Sequence, residues 1–307
     1  MVQLSTDVKN WFRGIFRTCN ATVAGKLAHI PTLHEAFLDL TIIERLTQVE
    51  APVLLSSGWR VMLETHFLGG FPMFRSWEIA DIGFLVMLRQ RGRLVRSKVA
   101  LLQSKRLFPV EFRQEDDYAR RQFIGFGKLH RDDRSYKDLY KPRVFSFTVN
   151  SIYRSLTVGD QQFKNIIAYQ RENKVPVYYL LYNPLVIPWS VHYPISPETT
   201  PHLPKLVVGC RVLPFDGVAS LSAKSGTHPT FTDISSKIQG FDSAPHVGGW
   251  KLEHFVVSGL LGCKAGYRTD LRQDETLETV FFRRSAPISA AIGITIDAPS
   301  NVRLLLE

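Results

Sequence analysis

Apolar residues recur at helical spacing early in the chain and later gather into unbroken runs of strand length. Behind Thr32-Leu33-His34-Glu35, a Thr-x-x-Glu capping box, Phe37, Leu40, Ile43 and Leu46 follow at three-residue intervals and predict a helix. A second helix is expected from about Ser56 or Ser57 to Leu68, ended by Gly69-Gly70. Its Trp59, Met62, Leu63, His66 and Phe67 would form one broad apolar face, with Glu64 beside it. The runs Ile79–Leu88 and Lys98–Lys105 then read as strands that are apolar on both faces, as in the middle of a covered sheet. Arg89-Gln90-Arg91-Gly92-Arg93-Leu94-Val95-Arg96 would be the basic loop joining them as an antiparallel hairpin.

Further on, residues 111–129 read as a polar, mixed-charge helix and residues 130–143 as a charged loop. Phe145–Val149 alternates like a short strand. Asp160 can cap a helix that carries Phe163, Ile166, Ile167 and Gln170 on one face, and a strand follows over Val175–Tyr182, with Pro176 tolerated at its start. Pro184, Pro188, Pro194, Pro197, Pro201 and Pro204 mark an irregular connection. Beyond it, Leu206–Leu213 reads as a strand and residues 216–249 as a Ser/Gly-rich loop. Trp250–Leu261 reads as a helix burying Phe255, Val256 and Leu260, and Thr279–Phe282 and Ile288–Ile296 as late strands. The order of elements is α/β. It divides into an N-terminal helical cap (1–50), a core (51–184), and a C-terminal α+β part (190–307) that extends the core or forms a small module of its own.

The composition is that of a folded globular chain: 307 residues, 45% apolar and 21% charged. Its 38 Lys+Arg against 28 Asp+Glu give a formal net charge of +10, which favours a polyanionic partner such as nucleic acid or an anionic surface. Cys19, Cys210 and Cys263 are scattered and odd in number, without the spacing of a disulfide framework or zinc knuckle, which suits a reducing cytoplasm. The first residues lack the pattern of a signal peptide, and no apolar stretch approaches the ~20 residues that span a bilayer. A cytoplasmic protein with no membrane association is expected.

The chemistry concentrates at the hairpin. If the two strands pair about Gly92, Asp81 falls opposite Gln103, and Lys105 lies one same-face step along. Polar groups on an apolar sheet are costly unless paired or bound to a metal. Glu64, flanked by Val61 and Leu68, would be partly desolvated and would want a cation. An ordinary buried ion pair with Gln103 as hydrogen-bonding filler is the plainer reading. Arg89, Arg91, Arg93, Arg96, Lys98, Lys105 and Arg106 give residues 89–106 seven bases and no acid, a cluster suited to phosphates or simply to a solvated hairpin tip.

In the order Glu64, Asp81, then Gln103-Ser104-Lys105, the chain resembles the PD-(D/E)XK restriction-endonuclease-like superfamily, in the Gln-x-Lys form of Mrr-type enzymes. The resemblance covers residues 56–182 at most. Ala80 replaces the family's proline, and Gln103 stands in place of the third acid. The resemblance implies a restriction-endonuclease-like core: a mixed sheet flanked by helices, in the order α-β-β-β-α-β. It implies Mg²⁺ or Mn²⁺ held by Asp81, the Gln103 side-chain oxygen, the Ser104 carbonyl and Glu64. Lys105 would orient the attacking water or stabilise the transition state. It further implies DNA as substrate, endonucleolytic cutting, defence against foreign DNA, and association with a recognition or motor subunit or with further copies of the chain. A non-catalytic subunit that binds nucleic acid or a partner on a degenerate nuclease fold is the rival expectation, favoured by the amide at 103.

Other constellations are weaker. His246, His254, Cys210 and Cys263 lack zinc-ligand spacing. Gly69-Gly70 and Gly125-Phe126-Gly127-Lys128 are not complete phosphate loops. His130 and Ser155 make no convincing base–nucleophile pair.

Overall fold

Helix α1 (Thr6–His29) exists because Val8, Phe12, Phe16, Cys19, Val23 and Leu27, at steps of three or four, all fall on one buried stripe. Helix α2 (Glu35–Thr47) packs beside it through Leu38, Ile42 and Leu46. The expected capping box is not what starts α2. His34 is the N-cap, its Nδ1 accepting from the Ala36 amide at 3.4 Å, and the Glu35 carboxylate turns away to the sheet. The computed structural model describes residues 3–49, 52–68, 78–110, 143–193, 196–198, 205–219, 221, 227–237, 248–269, 280–281, 287–302 and 304. The expectations for residues 69–70, 111–142, 279 and 282, and for His246, lie outside them, while Val280 and Phe281 are in a π-helical turn rather than the expected strand.

The second expected helix is instead a hairpin of two strands, β1 (Val53–Leu54) and β2 (Arg60–Phe67). Ser56, Ser57 and Gly58 form its turn: Leu55 N donates to Trp59 O at 2.8 Å, and Gly58 has φ +80°. Ser56 Oγ, Ser57 Oγ and Ser57 N all donate to the Asp7 carboxylate. These bonds hold the turn against the start of α1. A short apolar run satisfies helical and strand periods alike, and here tertiary pairing decides. Over all eight of its residues, β2 lies antiparallel to β14 (Ile288–Ala298).

Strands β3 (Ala80–Gln90) and β4 (Arg93–Arg106) form the expected hairpin. Ile82 pairs with Leu102 and Leu88 with Arg96, a register centred on residue 92, before a shift between Leu88 and Arg89. The turn is tighter than expected. Only Arg91 (φ 50°) and Gly92 (φ 73°) form it, the left-handed pair of a type I′ hairpin. The rest of the expected basic loop is strand.

After β5 (Arg143–Phe147), helix α3 (Gln161–Asn173) starts where expected: Asp160 is its N-cap, accepting from Phe163 N at 2.7 Å. It leads into β6 (Val177–Tyr182), parallel to β4. The proline-rich stretch is more regular than expected. It holds β7 (Val186–Ile187), β8 (Trp189–Tyr193) and β9 (Ser196–Glu198), with β8 paired to both β5 and β9. The strand expected at 206–213 is broken by Gly209 (φ +66°) into β10 (Leu206–Val207) and β11 (Arg211–Pro214). Two helices, α4 (Phe215–Ala219) and α5 (Phe231–Lys237), interrupt the expected loop. Trp250–Lys251 is β12, after which Leu252–His254 is helical and runs into a π-helical turn over Phe255–Leu261. Strand β13 (Tyr267–Thr269) pairs with β4 beside β6.

One mixed sheet runs in the order β1-β2-β14-β3-β4-β6-β11-β12 with β13 on β4, while β5-β8-β9 and β7-β10 pair separately. The chain is therefore α/β with helices on a large sheet. Residues 190–307 build into that sheet, since β14 stands between β2 and β3, and β11 and β12 close its far side. One continuous hydrophobic core joins α1, α2, the sheet and α3. The strand period assigns the faces. Ser104 Oγ reaches Asp39 on α2, whereas its neighbours Gln103 and Lys105 reach Gln162 on α3. Helices α2 and α3 thus lie on opposite faces. No helix among the described residues is long and apolar enough to cross a membrane.

Candidate active site

The register that pairs Ile82 with Leu102 continues one step to set Asp81 against Gln103, at the end of the sheet where β3 begins and β4 runs out. Gln103 Nε2 donates to Asp81 Oδ2 at 2.5 Å, and the Ser104 amide donates to the same oxygen at 2.6 Å. Gln162, in the first turn of α3, completes the cluster. Lys105 Nζ donates to its Oε1 at 2.9 Å, and its Nε2 donates to Gln103 Oε1 at 3.3 Å. Asp81, Gln103 and Lys105 therefore converge as the sequence predicts, with Gln162 as the link between lysine and amide. Gln103 (4% exposed) and Lys105 (5%) are buried, whereas Asp81 keeps part of its surface open.

Three further acids surround Asp81. Glu78, just before β3, accepts a hydrogen bond from Ser289 Oγ of β14. Glu35, at the start of α2, accepts from the Arg106 amide at 2.9 Å and from Ser155 Oγ. On the opposite face, Asp39 Oδ1 accepts from Ser104 Oγ and Tyr182 Oη, both at 2.5 Å. Ser104 thus bridges two carboxylates through the sheet, Asp81 by its amide and Asp39 by its hydroxyl.

Several acids share this end of the sheet with one buried lysine. Burial lifts the Asp81 carboxyl to about 6, against the opposing pull of Lys105 and the Ser104 amide, with Glu35 adding to the rise. Burial lifts Glu78 to about 7, helped by the charge of Asp81. Asp39 is raised well above the ordinary carboxyl range by burial and then by Asp81. The N-termini of α2 and α3 point partial positive charge at this end of the sheet, which offsets part of the carboxylate charge. Paired, partly desolvated carboxyls with raised pKa values mark a site built for chemistry more often than for stability.

Glu64 does not join them. It is exposed on β2, in register with Gly293 and, through β14, with Leu85. That places it about 13 Å along the strands from Asp81 and about 10 Å to the side. Its expected position assumed a helix where a strand forms.

The basic cluster is also divided. The turn at Arg91 lies ten strand positions from Asp81, about 30 Å away. Arg91 and Arg93 are exposed there, and Arg89 lies 3.6 Å from Asp297. Lys98 is buried and donates to the carbonyls of Leu260 and Ala265. Arg106 is buried, donating to Pro31 O at 2.7 Å with its guanidinium over the Phe108 ring. Arg96 lines a small apolar cavity with Lys98, Leu260 and Cys263. Lys98 and Arg106 thus serve the fold, and the exposed bases sit at the far end of the hairpin.

Among the described residues no three of His, Cys, Asp and Glu converge tightly enough to hold a metal by themselves. Cys19 and Cys210 are buried thiols whose ionisation burial opposes. Magnesium asks for less: one or two carboxylates, with water and phosphate oxygens for the rest. The oxygen donors of Asp81 and its acidic neighbours fit that requirement.

Glu35, Glu78 and Gln162 are the residues that sequence reasoning missed. Glu35 had been assigned to its own helix cap, and Gln162 stood beside the Asp160 cap without further signal. No known family model matches the chain, and neither a curated protein nor a solved structure does.

Proposed function

We propose that the chain is a Mg²⁺-dependent nuclease that hydrolyses DNA phosphodiester bonds internally, on a restriction-endonuclease-like core. One observation carries this reading: Asp81, Gln103 and Lys105 meet through Gln162 at one partly open sheet end, with further carboxyl groups close by. With the short β1 and the separately paired β5 set aside, the order α2, β2, β3, β4, α3, β6, with β6 parallel to β4, supports the fold assignment. Asp81 would hold the ion, with Glu78 or Glu35 as the neighbouring acid in place of Glu64. The ion would supply Lewis acidity and a water of lowered pKa. Lys105 is placed to orient the nucleophile or to meet charge developing on the phosphate. The exposed Arg91 and Arg93 would grip the duplex backbone about 30 Å from the cut, which is about nine base pairs at 3.4 Å each. Action on foreign DNA in a cytoplasm, alongside a recognition or motor subunit, is the setting that such an enzyme would fit.

Plasmid nicking in Mg²⁺ or Mn²⁺ tests the reading. The wild type should nick, and Asp81→Ala and Lys105→Ala should each lose roughly 100-fold or more, as removal of a proton-handling or charge-stabilising group does. Millimolar metal should raise the melting temperature of the wild type but not of Asp81→Ala. The rival reading, a binding subunit, is favoured by one feature: Gln103 gives Asp81 an N–H rather than sharing a cation with it. Equal inertness of all three proteins, with DNA binding kept and no metal-induced shift, would establish the rival.

A further inference from the structure

The four polar groups of the site form a chain whose direction is fixed by its ends. An ammonium can only donate, and a carboxylate can only accept. Lys105 Nζ therefore requires the oxygen of Gln162, 2.9 Å away. That choice turns the Gln162 NH₂ toward Gln103, whose oxygen lies 3.3 Å off. Gln103 must then present its own NH₂ to Asp81 Oδ2, at 2.5 Å. Neither amide can be reversed without setting donor against donor or acceptor against acceptor. Gln162 reaches this position because Asp160 caps α3 and sets the first turn beside the end of β4.

We propose that Gln162 is the positioning residue of the site, holding Lys105 and locking Gln103 as a donor to Asp81 rather than as a metal ligand. A glutamate at 103 would put two acceptors face to face, so an amide is the residue this arrangement demands. Any cation must then use the remaining oxygen of Asp81 and a neighbouring acid, or else release Gln103 from Gln162. The kinetic part of this inference rests on the nuclease reading above; the structural part does not.

The test uses Gln162→Leu, which removes both bonds, and Gln162→Glu, which keeps the acceptor for Lys105 and removes the donor to Gln103. Hydrogen exchange of the Gln103 side-chain NH₂ and the Lys105 ammonium is followed by NMR in the whole protein. In the wild type both should be protected. In Gln162→Leu both should exchange several-fold faster, and in Gln162→Glu only Gln103 should. If the chain cuts DNA, Gln162→Leu should lower kcat roughly tenfold or more with KM little changed, the pattern of a misplaced catalytic group. In a Lys105→Ala background the same change should cost almost nothing more, which a merely structural role would not predict. Mn²⁺ should bind Gln162→Leu at least as tightly as it binds the wild type, because Gln103 is free to turn its oxygen outward. Unaltered exchange at both groups in Gln162→Leu overturns the inference, whatever the nicking assay gives. The expected exchange pattern in a chain that never nicks DNA would sink the nuclease reading and leave the positioning role standing.

Discussion

Glu78 is the side chain whose ionisation the fold opposes in the most accessible way. Its carboxyl binds a proton more tightly in the folded chain than in the unfolded one, at about 7 against 4.5, and Asp81 behaves alike at about 6 against 3.8. The folded state therefore holds more protons across that window, and stability falls as pH rises through it, levelling off above about 7. Glu78→Gln should keep the Ser289 hydrogen bond and remove its share of the fall. Urea unfolding at pH 5 and pH 8 should show the variant gaining on the wild type toward high pH, by about 1 kcal/mol after allowance for the solvent-facing part of the group. A gain of equal size at both pH values would mean that the charge of Glu78 is not what matters. Of this residue-scale detail, Asp81, Gln103 and Lys105 were readable because two residues on paired strands need only one turn to fix their register. Glu78 was not, since its partner Ser289 and its neighbour Asp81 acquire their places through contacts far apart in the chain. Glu64 misled because its apolar neighbours Val61, Met62, Leu63 and Phe67 fit a helix face and a strand equally well.

Elements read well where their boundaries are chemically marked. Asp160 announced α3, and Gly92 announced the hairpin, through side-chain capping and left-handed backbone respectively. The β1–β2 hairpin was hidden because its turn, Ser56-Ser57-Gly58, presents the same residues as a helix start and is fixed by Asp7 of α1. Capping also links element to site, since the first turn of α3 carries Gln162. Asp160→Ala should cost about 1 kcal/mol, the usual value of a lost N-cap. Chemical denaturation checks the figure, and an unchanged midpoint would show that α3 is held by Phe163, Ile166 and Tyr169 alone. The N-terminus of α3 should fray in the variant, so nicking, where present, should fall by more than the loss of stability explains.

At the scale of the whole molecule, the sequence left open whether the C-terminal part extends the core or forms a module of its own; the sheet is continuous from β1 to β12. What was not readable is strand order. A parallel strand joins through long connections, and nothing local in Ile288–Ala298 says which edge it will find. Its burial on both faces does follow from its apolar run. Ile292, fully buried between Thr65 of β2 and Phe84 of β3, is the centre of that junction. Ile292→Ala should destabilise the fold by about 2–5 kcal/mol, the range for a large-to-small change in a packed core. A loss below about 1 kcal/mol, in the range of a surface change, would mean that β14 contributes little to holding β2 and β3 together.

The position of β14 also dictates an order of events during synthesis. The segment bearing Asp81 and Lys105 leaves the ribosome early, but the flank of β3 stays bare until residues 288–298 have emerged. A nascent or prematurely stopped product would hold its acids and lysine on an unsupported ribbon. The strand that flanks Asp81 is thus made long after the residues of the site, which stay without that support until residues 288–298 have been added.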